Sequence, residues 1–281
     1  NNYQQQQQQT ENSNESIAQQ QQQQQPNIDI FETFADATSF TQMVSRLMVT
    51  EIRRRASNKT TELASLAIVE FLEISPTVTN IPANKKGWIL LSTLNILVSF
   101  NSSQLIAIMT NNSLASTLVK CLYLFFDLPP FNDDDDDEDE KSNNNNDYYL
   151  SIGERRQLLQ KVFSQLLQRL CTSPTALNDL TRKDDLILLF NVITSWCPEH
   201  NRMWRKTAAD TIITMAKHGN INVDYLHSKN CIHLFVENVQ RILELGTAPN
   251  NEILLMIRTF IGFMFEYVHY YYQHSSITNN S

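Results

Sequence analysis

Two cysteine–histidine pairs have spacings that could bind a metal. Cys197-x-x-His200 and His227-x-x-x-Cys231 are half-sites that together could offer four ligands to zinc. A plainer reading outweighs this one. Cys197 adjoins Trp196 at a helix end and Cys231 lies on an apolar stripe, so both read as core thiols. No metal is therefore expected. The 4 cysteines, Cys121, Cys171, Cys197 and Cys231, are widely spaced in helical segments or at their ends. That is the pattern of buried, reduced thiols in a cytoplasmic protein rather than of a disulfide framework.

Other chemistries find less support. No two glycines are close enough to cradle a phosphate, and neither Gly-x-Ser-x-Gly nor His-Glu-x-x-His occurs. The pair Asp184-Asp185 fits a helix start, where negative charge meets the helix dipole. The sequence thus predicts no catalytic residue, no cofactor and no small-molecule substrate.

Binding is better supported. Arg53-Arg54-Arg55 is the one concentrated basic feature, placed either to dock an acidic peptide or a lipid headgroup or to offset carbonyls at a helix C-terminus. Arg46 and Arg53 fall opposite the apolar stripe of their helix and are expected to be exposed. The stretch Ser195–Lys206 crowds Trp196, Trp204, His200, Arg202, Arg205 and Lys206 into one interhelical corner. Exposed Trp and Arg there would be natural hot spots, although tryptophans pinning adjacent helices is the favoured reading. The candidate interaction surface is therefore Arg46, Arg53, Arg54, Arg55, His200, Arg202, Arg205 and Lys206.

The elements that must position these residues read as helix after helix. Only 5 glycines and 8 prolines occur in 281 residues, too few for turn-rich β architecture. Phe40, Val44, Leu47, Met48 and Ile52 form one stripe at the helical period, and Leu63, Leu66, Ala67, Val69, Phe71 and Leu72 a second. Trp88 to Phe100 is apolar nearly all round, which predicts a central helix. Shorter helical segments follow at Gln104–Met109 and Leu114–Phe126.

Ser151 and Glu154 stand at capping-box spacing before Leu158, Leu159, Val162, Phe163, Leu166, Leu167 and Leu170. Ser173-Pro174 pairs a cap residue with proline at the first helical position. Asn201 is read as the cap of a helix carrying Trp204, Ala208, Ile212 and Met215, with Gly219 at its end. Cys231, Phe235, Val239, Ile242 and Leu243 form a further stripe ending at Gly246. No alternating strand pattern appears. The prediction is an all-α, armadillo- or HEAT-like helical solenoid.

Residues 1–29 hold two glutamine runs and are expected to be disordered; residues 30–281 form the helical domain, interrupted by an acidic, Asn-rich loop at 130–148. The net charge of −8 resides in that loop. Removing the eight carboxylates of Asp133–Glu140 from the 30 acidic residues leaves 22, equal to the 22 basic ones. A neutral body predicts no nucleic-acid partner. Ile253–Tyr272 is the membrane-span candidate, but Arg258 and Glu266 interrupt it. The chain opens on Asn1, so it is read as a segment of a longer protein.

Thr41–Asn58, Ser116–Pro129, Glu154–Leu167 and Asp184–Lys206 closely resemble the N-terminal region of the Alfy-like BEACH family of giant scaffold proteins, in its large-volume-sphere A branch. The likeness runs from about residue 38 to 235; the glutamine-rich head and acidic loop have no counterpart in it, and the tail after about Arg241 matches weakly. It implies an armadillo-like region leading to lectin-like, PH-BEACH and WD40 modules far downstream. It also implies roles in vesicle trafficking, autophagy, contractile-vacuole osmoregulation and cytokinesis. The expected partners are other proteins or downstream modules of the same chain, with peripheral attachment to endomembranes through the basic triplet and aromatic tail as the alternative.

Overall fold

Apolar side chains at helical spacing must be buried against one another, and in this chain they do so along a single uninterrupted core from Val44 to Phe263. The computed structural model describes residues 30–76, 86–130, 150–194, 198–218, 223–245, 253–265 and 268. The expected disordered head, nearly all of the acidic loop, Trp196, Cys197, Gly219 and Gly246 lie outside the described residues. The chain separates into two units, Asn1–Ser39 and Phe40–Ser281.

Helices α1 (Ile30–Ala56), α2 (Thr61–Leu72), α3 (Lys86–Ser99), α4 (Ser103–Asn111) and α5 (Leu114–Leu124) precede the acidic loop. After it come α6 (Ile152–Cys171), α7 (Pro174–Arg182), α8 (Asp185–Thr194), α9 (Arg202–Lys217), α10 (Val223–Ser228) and α11 (Cys231–Leu245). The last is α12 (Ile253–Phe265). Short 3-10 turns occupy Phe125–Asp127 and Glu199–Asn201. No strand occurs among the described residues, and the chain is all-α, consistent with a helical solenoid.

The packing within Phe40–Ser281 repeats every third helix. α3 packs on α6 and α6 on α9; α2 packs on α5, α5 on α8 and α8 on α11; α4 packs on α7. Ile213 of α9 meets Gly262 of α12, which extends the first row by one more helix.

Local signals explain most helix ends. Ser151 Oγ accepts from the Glu154 amide at 3.2 Å while the Glu154 carboxylate accepts from the Ser151 amide at 3.0 Å, closing the expected capping box of α6. Thr60 and Ser102 cap α2 and α4 in the simpler one-bond manner. With glycine scarce, left-handed turns fall to Asn58, Asn101, Ser113, Asp184 and Asn230, which follow or join helices with φ between 52° and 62°. Asparagine and aspartate tolerate that region because their short polar side chains bond locally.

Glycine is needed at one close approach. A Cβ at Gly87 would lie 2.1 Å from the Phe71 carbonyl oxygen, so the start of α3 rests directly on the end of α2. Backbone cannot rotate away as a side chain can. Gly87→Ala is expected to destabilise the domain by about 3 kcal/mol, since overpacking outweighs the roughly 1 kcal/mol gained in helix propensity. A urea melt with an unchanged midpoint would show that the helices separate freely there.

Several apolar expectations are corrected. Val44, Met48 and Ile52 are buried, but Phe40 and Leu47 are exposed. The buried arc of α1 is completed by Thr41, Ser45 and Val49 instead. Leu63 and Leu243 are also exposed. The third helix, expected to be central, shows Ile89, Ile96 and Phe100 to solvent, Phe100 at 68% exposure. Among the described residues nothing covers the outward side of α3.

Candidate interaction surface

The corner after Pro198 is mostly interior. Trp204, 1% exposed, sits between Phe125 at 4.5 Å and Phe163 at 5.7 Å between ring centres, with Phe125 and Phe163 themselves 5.4 Å apart. This trio joins the end of α5, the middle of α6 and the start of α9. Arg205 was expected on the surface and is 2% exposed. The reason is position: α9 has α6 and α12 on its flanks and α8 behind it, so only the arc of Lys206, Asp210, Ile213 and Lys217 reaches outward.

Asn201 stands at the cap position but does not cap. Its Nδ2 donates to the carbonyls of Phe126 at 3.0 Å and Leu128 at 2.8 Å, tying α9 back to the chain leaving α5. His200 reaches the same Leu128 carbonyl at 2.7 Å, and because a carbonyl only accepts, Nε2 carries the proton. Arg202 pairs with Glu199 at 2.9 Å. Of the corner residues predicted for contact, Lys206 is exposed, while His200 and Arg202 are half-buried. Asn201→Ala takes this donor from the Phe126 carbonyl, while the Leu128 carbonyl keeps His200, and is expected to cost about 1 to 2 kcal/mol. A drop below 0.5 kcal/mol in the unfolding free energy would remove the clasp.

The basic triplet divides in the same way. Arg54 pairs with Glu51 at 2.9 Å, and Arg55 bonds Glu51 while lying 3.7 Å over the Phe71 ring. The hydrogen bonds from Arg55 and Arg54 hold the Glu51 carboxyl below its ordinary range. Arg46 and Arg53 are exposed. They share the outward side of α1 with Phe40, Met43 and Leu47, so cations flank a line of apolar side chains there.

A broader surface was not legible in the sequence. Gln160 donates to Thr207 of α9 at 2.9 Å, and Arg169 donates to the Asn95 carbonyl of α3 at 3.1 Å. These bonds identify the two flanks of α6, and Gln157 and Lys161 lie exposed on the side between them. Across the row, α3 presents Ile89, Ile96 and Phe100; α9 presents Lys206 and Lys217; α12 presents Leu254, Ile261 and Phe265. Between α9 and α12 runs a groove of about 430 Å³ lined by Ile213, Leu254, Ile257, Ile261 and Phe265 with Arg258. A smaller cleft of about 230 Å³ lies where α6 begins, lined by Arg156, Gln157, Glu199, His200 and Trp204.

Among the described residues no group of three or more His, Cys, Asp or Glu could hold a metal, and Cys197 of the proposed half-site lies outside them. Cys121 and Cys171 are free thiols whose burial pushes them up to about 12, leaving neither as a thiolate at neutral pH. Among the described residues no single helix is long and apolar enough to cross a membrane.

The chain is similar to WD repeat- and FYVE domain-containing protein 4 from human, 24% identical over 223 residues, or 79% of this chain and 6% of that protein. The mouse protein of the same name is 24% identical over 221 residues, covering 78% of this chain and 6% of its own length. The likeness is consistent with a relative of the BEACH-family proteins. This chain thus corresponds to a small part of the proteins it matches. No family model matches it, and no solved structure does.

Proposed function

We propose that this chain is a non-catalytic, protein-binding scaffold segment of a giant BEACH-family protein of the Alfy-like, large-volume-sphere A branch, built as an armadillo-like solenoid. The packing of α2 to α6 and of α8 each on the third helix after it supports the armadillo reading. A cytoplasmic protein acting at endomembranes, in trafficking, autophagy, contractile-vacuole osmoregulation or cytokinesis, belongs to the same proposal through the sequence resemblance. Its partners are other proteins or downstream modules of the same longer protein.

The observation that carries the binding reading is the outward side of α1, where Phe40, Met43 and Leu47 stand exposed beside Arg46 and Arg53. Apolar side chains left in water beside cations are the composition of a protein contact. The test is quantitative capture from a lysate by the purified chain and by a Leu47→Asp/Arg53→Glu variant, with far-UV circular dichroism as the folding control. Specific proteins captured by the first should fall about tenfold with the second. Equal capture removes α1 as the contact. Flotation with anionic vesicles separates the membrane alternative, and the chain is expected to stay with the soluble fraction.

A further inference from the structure

We propose that the common outer face of α3, α6, α9 and α12 binds an acidic, extended peptide segment with apolar anchors at both ends. The proposal rests on the scaffold reading and adds to it a second surface and the chemistry of its partner. Charge complementarity is the first argument. Outside the acidic loop the chain is neutral, yet the carboxylates within these four helices are Glu154 and Asp210 alone, against exposed Lys86, Lys161, Arg169, Lys206, Lys217 and Arg258. Glu154 is committed to the capping box of α6. Asp210 is half-buried between Lys206 and Arg258, whose charges act on it from α9 and α12. Among the described residues of these helices cations therefore outnumber carboxylates, over a neutral body.

The order of side chains across the row is the second argument. The outermost helices present apolar groups, Ile89, Ile96 and Phe100 at one end and the groove of Leu254, Ile261 and Phe265 at the other. Cations occupy the middle, Lys161 on α6 and Lys206 and Lys217 on α9. Packed helices lie about 8 to 10 Å apart, so the end helices are separated by roughly 25 to 30 Å. At about 3.3 Å per residue, an extended chain crosses that span in about eight or nine residues. The fitting ligand has carboxylates through that stretch and large apolar residues just outside it. A bilayer fits less well: it would meet the two apolar ends across a charged middle, with too few cations for stable adsorption without deep apolar insertion.

The test uses the whole chain and a fluorescein-labelled peptide of about fourteen residues, with Leu-Phe at each end and glutamates between, read by fluorescence anisotropy. A second peptide replaces every glutamate by glutamine. Binding of the glutamate peptide is expected, weakened at least about tenfold for the glutamine peptide and for Lys161→Glu/Lys206→Glu. Ile96→Asp is expected to weaken it through the apolar end. These positions are exposed, so thermal unfolding should not move. A neutralising Lys161→Gln/Lys217→Gln variant covers the case in which the reversals fail to fold.

Equal affinity for both peptides, or no binding of either, overturns the proposal. Anionic phosphatidylserine vesicles that bind the chain, lose it with the same lysine variants, and leave the peptide unbound also overturn it, in favour of a membrane. None of these results touches capture through α1, so the scaffold reading stands or falls on its own variants.

Discussion

Trp204→Ala is expected to lower the unfolding free energy by about 4 kcal/mol, the largest loss from any single truncation considered for this fold. A buried Trp or Phe cut to alanine costs about 3 to 5 kcal/mol, from lost transfer energy and the cavity left behind. Trp204 lies at the upper part of that range because two aromatic partners lose their contact with it. Both neighbours, Phe125 and Phe163, are fully buried on different helices, so the void opens where α5, α6 and α9 meet. A domain stable by about 5 to 15 kcal/mol would become marginal. Urea unfolding followed by far-UV circular dichroism measures the change. Trp204→Phe should recover more than half of it, and a loss under 1 kcal/mol for alanine would mean the corner is not a packing centre.

Arg205→Glu is the second large effect and reverses an expectation from sequence. Read as a surface cation, its reversal should abolish a partner and leave the fold intact. At 2% exposure, the substitution instead places a carboxylate in the interior, out of reach of water. Holding a carboxylate out of water there is expected to cost about 3 to 5 kcal/mol. The matching change at exposed Arg53 should fall within about 0.5 kcal/mol of neutral. Thermal unfolding of the two variants side by side separates the cases. If Arg205→Glu melts with the parent chain, that arginine reaches solvent after all.

The misreading of Arg205 has a general cause. Periodicity identifies the centre of the buried arc, and Trp204, Ala208, Ile212 and Met215 marked it correctly for α9. Periodicity does not give the width of that arc. A helix with neighbours on both flanks and behind also buries Arg205, Thr207, Ala209 and Thr211, whatever their polarity. α3 errs in the opposite sense: an all-round apolar sequence predicted full burial, but its outer side faces solvent like that of the other helices in its row and leaves Ile89, Ile96 and Phe100 outside. Asn201 shows the same limit on a smaller scale. Its place before α9 suggested a cap, while two carbonyls more than seventy residues earlier claimed its amide.

Local chemistry alone therefore determined the all-helical character, the capping box of α6, the proline start of α7 (where Ser173 makes no side-chain cap bond), and the segregation of net charge into one loop, because each depends on residues within a few positions. Tertiary structure decided which helix sides stay open and which cations reach solvent. The outer face of α3, α6, α9 and α12 draws Ile96, Lys161, Lys206 and Ile261 from across the chain, between residues 86 and 265. Residues so far apart share no sequence period. They meet only because α3, α6 and α9 each pack on the third helix after them, which turns the same side of each helix in the row toward solvent.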